Sequence, residues 1–116
     1  MTQPKIDTFR FGRVVIDGNA YSKDVMILPE GVKANWRRKE GHNLQAEDLD
    51  WVMAAQPEIL LVGKGTVNRM QVSEEAIKIC EGAGIEMIAL SSSEACDRYN
   101  EIRMDRKTAL ALHLTC

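Results

Sequence analysis

From Ile59 onward the chain changes hydrophobic period again and again, and this alternation narrows the fold more than any other feature. Ile59 to Val62 is continuously apolar, as suits a strand covered on both faces in a parallel sheet. Gly63-Lys64-Gly65-Thr66 leaves its end. Ser73 can cap a helix whose first turn carries Glu74 and Glu75, where carboxylates meet the partial positive charge of the helix start. Ala76, Ile77 and Cys80 form its apolar stripe, and Gly82-Ala83-Gly84 supplies a left-handed exit. Ile85 to Leu90 is the next strand. Ser91 and Glu94 have capping-box spacing, with Ser93 as an alternative cap, and the helix runs to about Lys107. Ala95, Tyr99, Ile102 and Arg106 give its inner stripe, while Asp97, Arg98, Glu101 and Asp105 form the water-facing side. In Thr108 to Thr115, Leu110, Leu112 and Leu114 share one face, and Ala109, Ala111 and His113 the other. A β-α-β-α-β order calls for right-handed crossovers and parallel pairing.

The first half reads differently. Phe9 to Ile16 forms a strand, Asp17-Gly18 a tight hairpin, and Tyr21 to Leu28 the returning strand. After Pro29-Glu30-Gly31, Val32, Ala34 and Trp36 alternate again, which gives a three-stranded antiparallel meander. A helix from Ala46 to Ala55 ends at Gln56-Pro57. No linker or repeat divides the 116 residues, so one domain spans 1–116, with residues 1–7 expected to be flexible.

Composition restricts function. Fifteen basic and 17 acidic residues give a net charge of −2, which argues against a dedicated nucleic-acid or membrane-surface binder but leaves room for a local patch. No apolar run has the length of a membrane span, and Met1 to Asp7 lacks the apolar stretch of a signal peptide, so a cytoplasmic protein without membrane insertion is expected. The three cysteines, Cys80, Cys96 and Cys116, form no CxxC pair. Neither a disulfide scaffold nor a cysteine zinc site follows from an odd number so spaced. With two histidines far apart, no metal site is expected, and no cofactor.

If the late strands are parallel, the Gly63–Thr66 turn, the Ser91–Ser93 turn and Thr115-Cys116 meet along one sheet edge, where α/β folds place ligands. Amides near Gly63 and Gly65, hydroxyls of Ser91, Ser92 and Ser93, and the charges of Lys64 or Arg69 could then hold a small anionic ligand, with Thr66 beside them. Glycine turns and serine caps are also ordinary joints. The dinucleotide fingerprint fails because Asn68 stands where its third glycine belongs, and Lys64-Gly65-Thr66 has the wrong order for a phosphate loop. His113 and Cys116 would point to opposite faces of one strand, a poor geometry for a nucleophile and base. His113 reads instead as a packed or capping residue. His42, beside Gly41, could be a ligand or base, or a loop histidine bonded to backbone. Trp36-Arg37-Arg38-Lys39 is the sharpest basic cluster; Trp36 reads as core and the cations as solvated, with stacking on bases or binding of an acidic protein surface as the sharper alternatives.

Phe11-Gly12, Gly41-His42, Leu61-Val62-Gly63-Lys64-Gly65, Glu94-Ala95 with Tyr99-Asn100, and the ending His113-Leu114-Thr115-Cys116 are similar, in order and spacing, to a known set. They resemble the small α/β family that includes an adipogenesis-associated domain protein and a mitochondrial respiratory complex I assembly factor. The resemblance implies a three-layer domain, with the meander packed on a mixed, partly parallel sheet and flanking helices. It marks Gly63, Gly65, Tyr99, Asn100, His113 and Cys116 for testing and assigns them no chemistry. It also suggests assembly through protein contacts, although no mitochondrial presequence is recognisable here. The expectation is therefore a non-catalytic protein-binding or assembly module, with an exposed apolar patch on the meander or near Trp36. The alternative is an anionic-ligand binder or enzyme at the strand-end cleft. Catalysis and oligomeric state are left open.

Overall fold

The segment Ile59–Gly63 (β7) is buried at all five positions because it has a strand on either side and a layer on either face. In the computed structural model, which describes residues 3–116, it pairs in parallel with Thr108–Leu112 (β10) and with Glu86–Leu90 (β9). Val25–Leu28 (β4) joins β10 on its other side, antiparallel, and Gly31–Lys33 (β5) pairs antiparallel with β4. The five-stranded order is β5-β4-β10-β7-β9. Three short strands, Ile6–Arg10 (β1), Arg13–Ile16 (β2) and Asn19–Tyr21 (β3), form a separate antiparallel sheet.

Strand alternation sends side chains into two cores. Met26, Leu28, Leu60, Val62, Ala109 and Ala111 face one layer. That layer holds the 3-10 turn Ala46–Leu49, the helix Asp50–Ala55 (α1) and the helix Glu74–Gly82 (α2). Val25, Ile27, Ile59, Leu61, Leu110 and Leu112 face the small sheet and the helix Ser92–Ile102 (α3). Each fully buried Leu or Ile contributes about 1.5–3 kcal/mol relative to exposure, so this double-sided sheet is the main source of cohesion. The result is the expected three-layer α/β domain.

The first half departs from the single expected meander. Phe9–Ile16 is not one strand: it folds back at Phe11-Gly12, where Gly12 has φ of +78° and its N–H reaches Leu114 O at 2.8 Å. Tyr21–Leu28 is also broken, at Ser22–Asp24, because β4 belongs to the central sheet. All four of its residues are buried, as a strand with a layer on each face requires. The third strand stops at Lys33. Asn35 then takes φ of +55°, and Trp36 turns inward to donate its indole N–H to Asp48 O at 3.2 Å.

The expected 46–55 helix begins as a 3-10 turn and ends on left-handed Gln56 before Pro57. Ser73 and Ser91 cap α2 and α3 as expected. Helix α3 ends at Ile102 rather than Lys107, since the N–H groups of Asp105 and Arg106 both return to Ile102 O and close the turn. β10 ends at Leu112, short of Thr115. A parallel pair of Asn43–Leu44 (β6) with Gln71–Val72 (β8) had no counterpart in the pattern.

From Gln3 onward the start of the chain makes hydrogen bonds to the body of the domain. The Gln3 amide bonds both the N–H and C=O of Thr108, at 2.8 and 3.0 Å, taking the place of a strand neighbour. The expectation for residues 1 and 2 lies outside the described residues. Asn100 on α3 does the same for β1, accepting from Ile6 N–H at 3.0 Å and donating to Ile6 C=O at 2.7 Å. Asn100→Ala removes both partners. It is expected to cost about 1–3 kcal/mol, read as a lower urea midpoint at unchanged slope.

Candidate functional site

Because β7, β9 and β10 are parallel, their carboxyl ends share one edge, and antiparallel β4 brings its start to the same place. The residue just before β4 is Asp24. One carboxylate oxygen accepts from Leu114 N–H at 2.8 Å. The other lies 2.8 Å from both Arg38 Nη1 and His113 Nδ1. The Asp24 C=O accepts Trp36 N–H at 2.8 Å. A single residue thus ties the 35–42 loop and the segment after β10 to the central sheet.

The group is largely dry: the side chains of Arg38, His113 and Asp24 are 4%, 7% and 16% exposed. Arg38 lies over the Trp36 ring at 4.9 Å and donates Nε and Nη2 to Gly41 O at 3.0 and 2.6 Å. With His113 Nδ1–H donated to Asp24, His113 Nε2 faces Thr115 Oγ1 at 3.5 Å. Burial by itself would raise the Asp24 pKa. The hydrogen bonds from His113, Leu114 and Arg38 outweigh it and hold the carboxyl below its ordinary value.

The strand-end turns are where the sequence placed them, but their polar groups face inward. Lys64 N–H bonds Leu90 O at 2.9 Å, Gly65 N–H bonds Ser92 Oγ at 2.8 Å, Thr66 N–H bonds Thr115 O at 2.7 Å, and Arg69 N–H bonds Cys116 O at 2.9 Å. The amides proposed to cradle an anion are therefore occupied by the protein itself. Packing accounts for both glycines. A side chain on Gly63 would meet Leu112 Cδ1 at 2.7 Å, and one on Gly65, whose φ is +100°, would fall on the Cys116 carbonyl.

Ser91 caps α3 and Ser92 is buried beneath the turn, donating to His113 O; Ser93 is exposed on the first turn. Tyr99 is buried and donates to Pro4 O at 2.6 Å; burial pushes its hydroxyl up to about 12. Tyr99 and Asn100 therefore act in the α3–β1 contact, away from the strand ends. His42 sits edge-on to His113, with ring centroids 5.6 Å apart, and Cys116 joins His113 around Gly65. The structure brings His42, His113, Cys116, Gly65 and Thr66 together with Asp24 and Arg38. The last two were not singled out as a pair; the visible signals were the charged residues Lys23 and Asp24 inside the span read as one strand, Tyr21–Leu28, and the basic cluster that holds Arg38.

Two open grooves flank this node. One, of about 390 Å³, is lined by Ser22, Lys23, Asp24, Arg37, His113 and Thr115, among others. The second, of about 320 Å³, lies between Trp36, Arg37, Glu47, Asp50 and Trp51. Trp36 is 4% exposed and Trp51 41%. Among the described residues no three His, Cys, Asp or Glu side chains converge on a metal position, and no helix is long and apolar enough to cross a membrane.

Layer order, strand order and a strand-end edge closed by internal bonds define a small three-layer α/β protein. A family model described as protein of unknown function (DUF498/DUF598) matches residues 6–113, and the chain belongs to that family. It is similar to a conserved hypothetical protein, PH1505, from Pyrococcus horikoshii OT3: 28% identity over 97% of this chain and 99% of that one, TM-score 0.84. A protein from Bartonella henselae described as an outer membrane protein is 21% identical over 99% and 98%, TM-score 0.85. A protein from Bordetella pertussis described as an Mth938-like domain is 19% identical over 96% and 85%, TM-score 0.78. The last two are likenesses of fold.

A carboxyl whose folded pKa is lowered stabilises the fold above its unfolded value of 3.8 and loses that contribution as pH falls through the folded value. Melting temperature is thus expected to fall on acidification below about pH 4 as Asp24 is protonated. Asp24→Asn should flatten this fall and cost about 3 kcal/mol at neutral pH, since it leaves buried Arg38 without its counter-charge. Gly65→Ala should cost about 2–5 kcal/mol in urea unfolding, from left-handed strain plus the overlap with Cys116.

Proposed function

We propose that the chain is a non-catalytic module that binds a protein partner or helps a complex assemble, and that it acts in the cytoplasm. The observation that carries this reading is Trp51, an indole 41% exposed beside an open groove and next to buried Trp36. Large aromatic side chains left partly in water beside a groove are the usual anchors of protein recognition. Trp36 itself is buried, so no apolar patch forms around it; the exposed apolar surface of this groove is Trp51, among polar and charged neighbours. The resemblance to a family with a complex I assembly factor and an adipogenesis-associated protein supports the same reading. All three cysteines are free thiols, two of them buried, in keeping with a reducing compartment.

The alternative, a small anionic ligand or substrate held at Gly63–Thr66, Arg69 and Ser91–Ser93, has less behind it, since the amides of Lys64, Gly65, Thr66 and Arg69 are already bonded. Trp51→Glu is expected to shift stability by less than about 1 kcal/mol and to abolish capture of a partner that wild type retains from lysate. A panel of small anions and nucleotides should leave the melting temperature unchanged. A melting shift from one of those anions, together with capture indifferent to Trp51, would replace this reading with the alternative.

A further inference from the structure

The cations around the strand-end edge are unevenly matched. Asp24 is the carboxylate of the larger groove, and its charge is already met by Arg38 and His113. Lys23 and Arg37 line the same groove, are exposed, and have no salt-bridge partner among the described residues.

At the tip of the β1–β2 hairpin, Arg10 and Arg13 stand directly opposite each other, both exposed and likewise unpaired. Like charges in that cross-strand position weaken a hairpin. Between them Phe11 is 62% exposed. Gly12 N–H of this tip is bonded to Leu114 O, and Leu114 lines the groove, so tip and groove adjoin. Four unmatched cations and an exposed aromatic ring collect here in a chain whose net charge is −2.

We propose that the hairpin tip Arg10–Arg13 and the groove holding Lys23 and Arg37 dock an acidic segment of a protein partner, with carboxylates on the four cations and an apolar side chain against Phe11. This deepens the protein-binding reading above and rests on it. Carboxylates suit arginine forks, and such contacts weaken with salt. Nucleic acid fits less well, because Phe11 is the one exposed ring at the hairpin tip, Trp36 of the adjoining groove is buried, and the rest of the chain is acidic.

The test is fluorescence anisotropy with a labelled glutamate-rich peptide carrying a central leucine, titrated with the full chain at low and near-physiological salt. Arg13→Glu and Lys23→Glu/Arg37→Glu should each weaken binding roughly tenfold or more, and Lys78→Glu on α2 less than about twofold. Arg13→Glu should also raise the melting temperature by roughly 2 °C, since Arg10 gains an opposite charge across the hairpin. Binding lost while stability rises separates docking from folding.

The proposal is overturned by absence of peptide binding at low salt, by equal losses in Lys78→Glu, or by tighter binding of a uridine oligonucleotide through the same residues. If the peptide fails while Trp51-dependent capture persists, acidic docking falls and the protein-binding reading stands. If the peptide behaves as expected and no Trp51-dependent partner exists, the docking surface stands without the Trp51 groove.

Discussion

The Asp24 carboxylate is the point on which the strand-end architecture depends. Three donors from two distant parts of the chain reach it: Leu114 N–H, His113 Nδ1 and Arg38 Nη1. Without a charged acceptor there, buried Arg38 would lack compensation, and leaving an ion unpaired in such a place costs far more than an exposed pair contributes. The order of the neighbouring turns follows. Trp36 is placed by Asp24 C=O, Arg38 lies over Trp36, and Gly41 O accepts from Arg38. His42 is carried to the rim beside His113 by the same loop.

Much of the fold could be read from local pattern, and the reason is geometric. Leu110 and Leu112 enter one core while Ala109 and Ala111 enter the other, as strict alternation requires. The continuous run Ile59–Val62 marked a strand between two layers, and β4 carried the same signal in Val25–Leu28. Reading Tyr21–Leu28 as one alternating strand overlooked that run and so merged two sheets. The hairpin at Phe11-Gly12 escaped because its stabilising contact is Leu114 O, at the far end of the sequence.

The site was less legible than the fold for a related reason. Glycine and serine positions draw attention as possible ligand cradles, yet Gly63, Gly65 and Ser92 are accounted for by close packing and by bonds within the edge. The polar node that does form joins Asp24 to residues 14, 89 and 90 positions away, a separation no spacing motif encodes. Trp36 and Trp51 illustrate the same limit. Both are tryptophans beside charged residues, and only the path of the chain buries the first and leaves the second half in water.

The strand order also governs how the molecule comes together. β10 follows every other strand in the chain, yet it lies between β4 and β7 in the central sheet. Until it docks, the β4–β5 pair and the β7–β9 pair have no ladder to join them, and both cores lack a wall. Closing contacts across so many residues is entropically slow, so completion of the central sheet is expected to wait for β10. A nascent chain lacking its last strand would expose two unpaired apolar edges at once, which makes the interval before β10 is available the stage at which this protein most needs protection from aggregation.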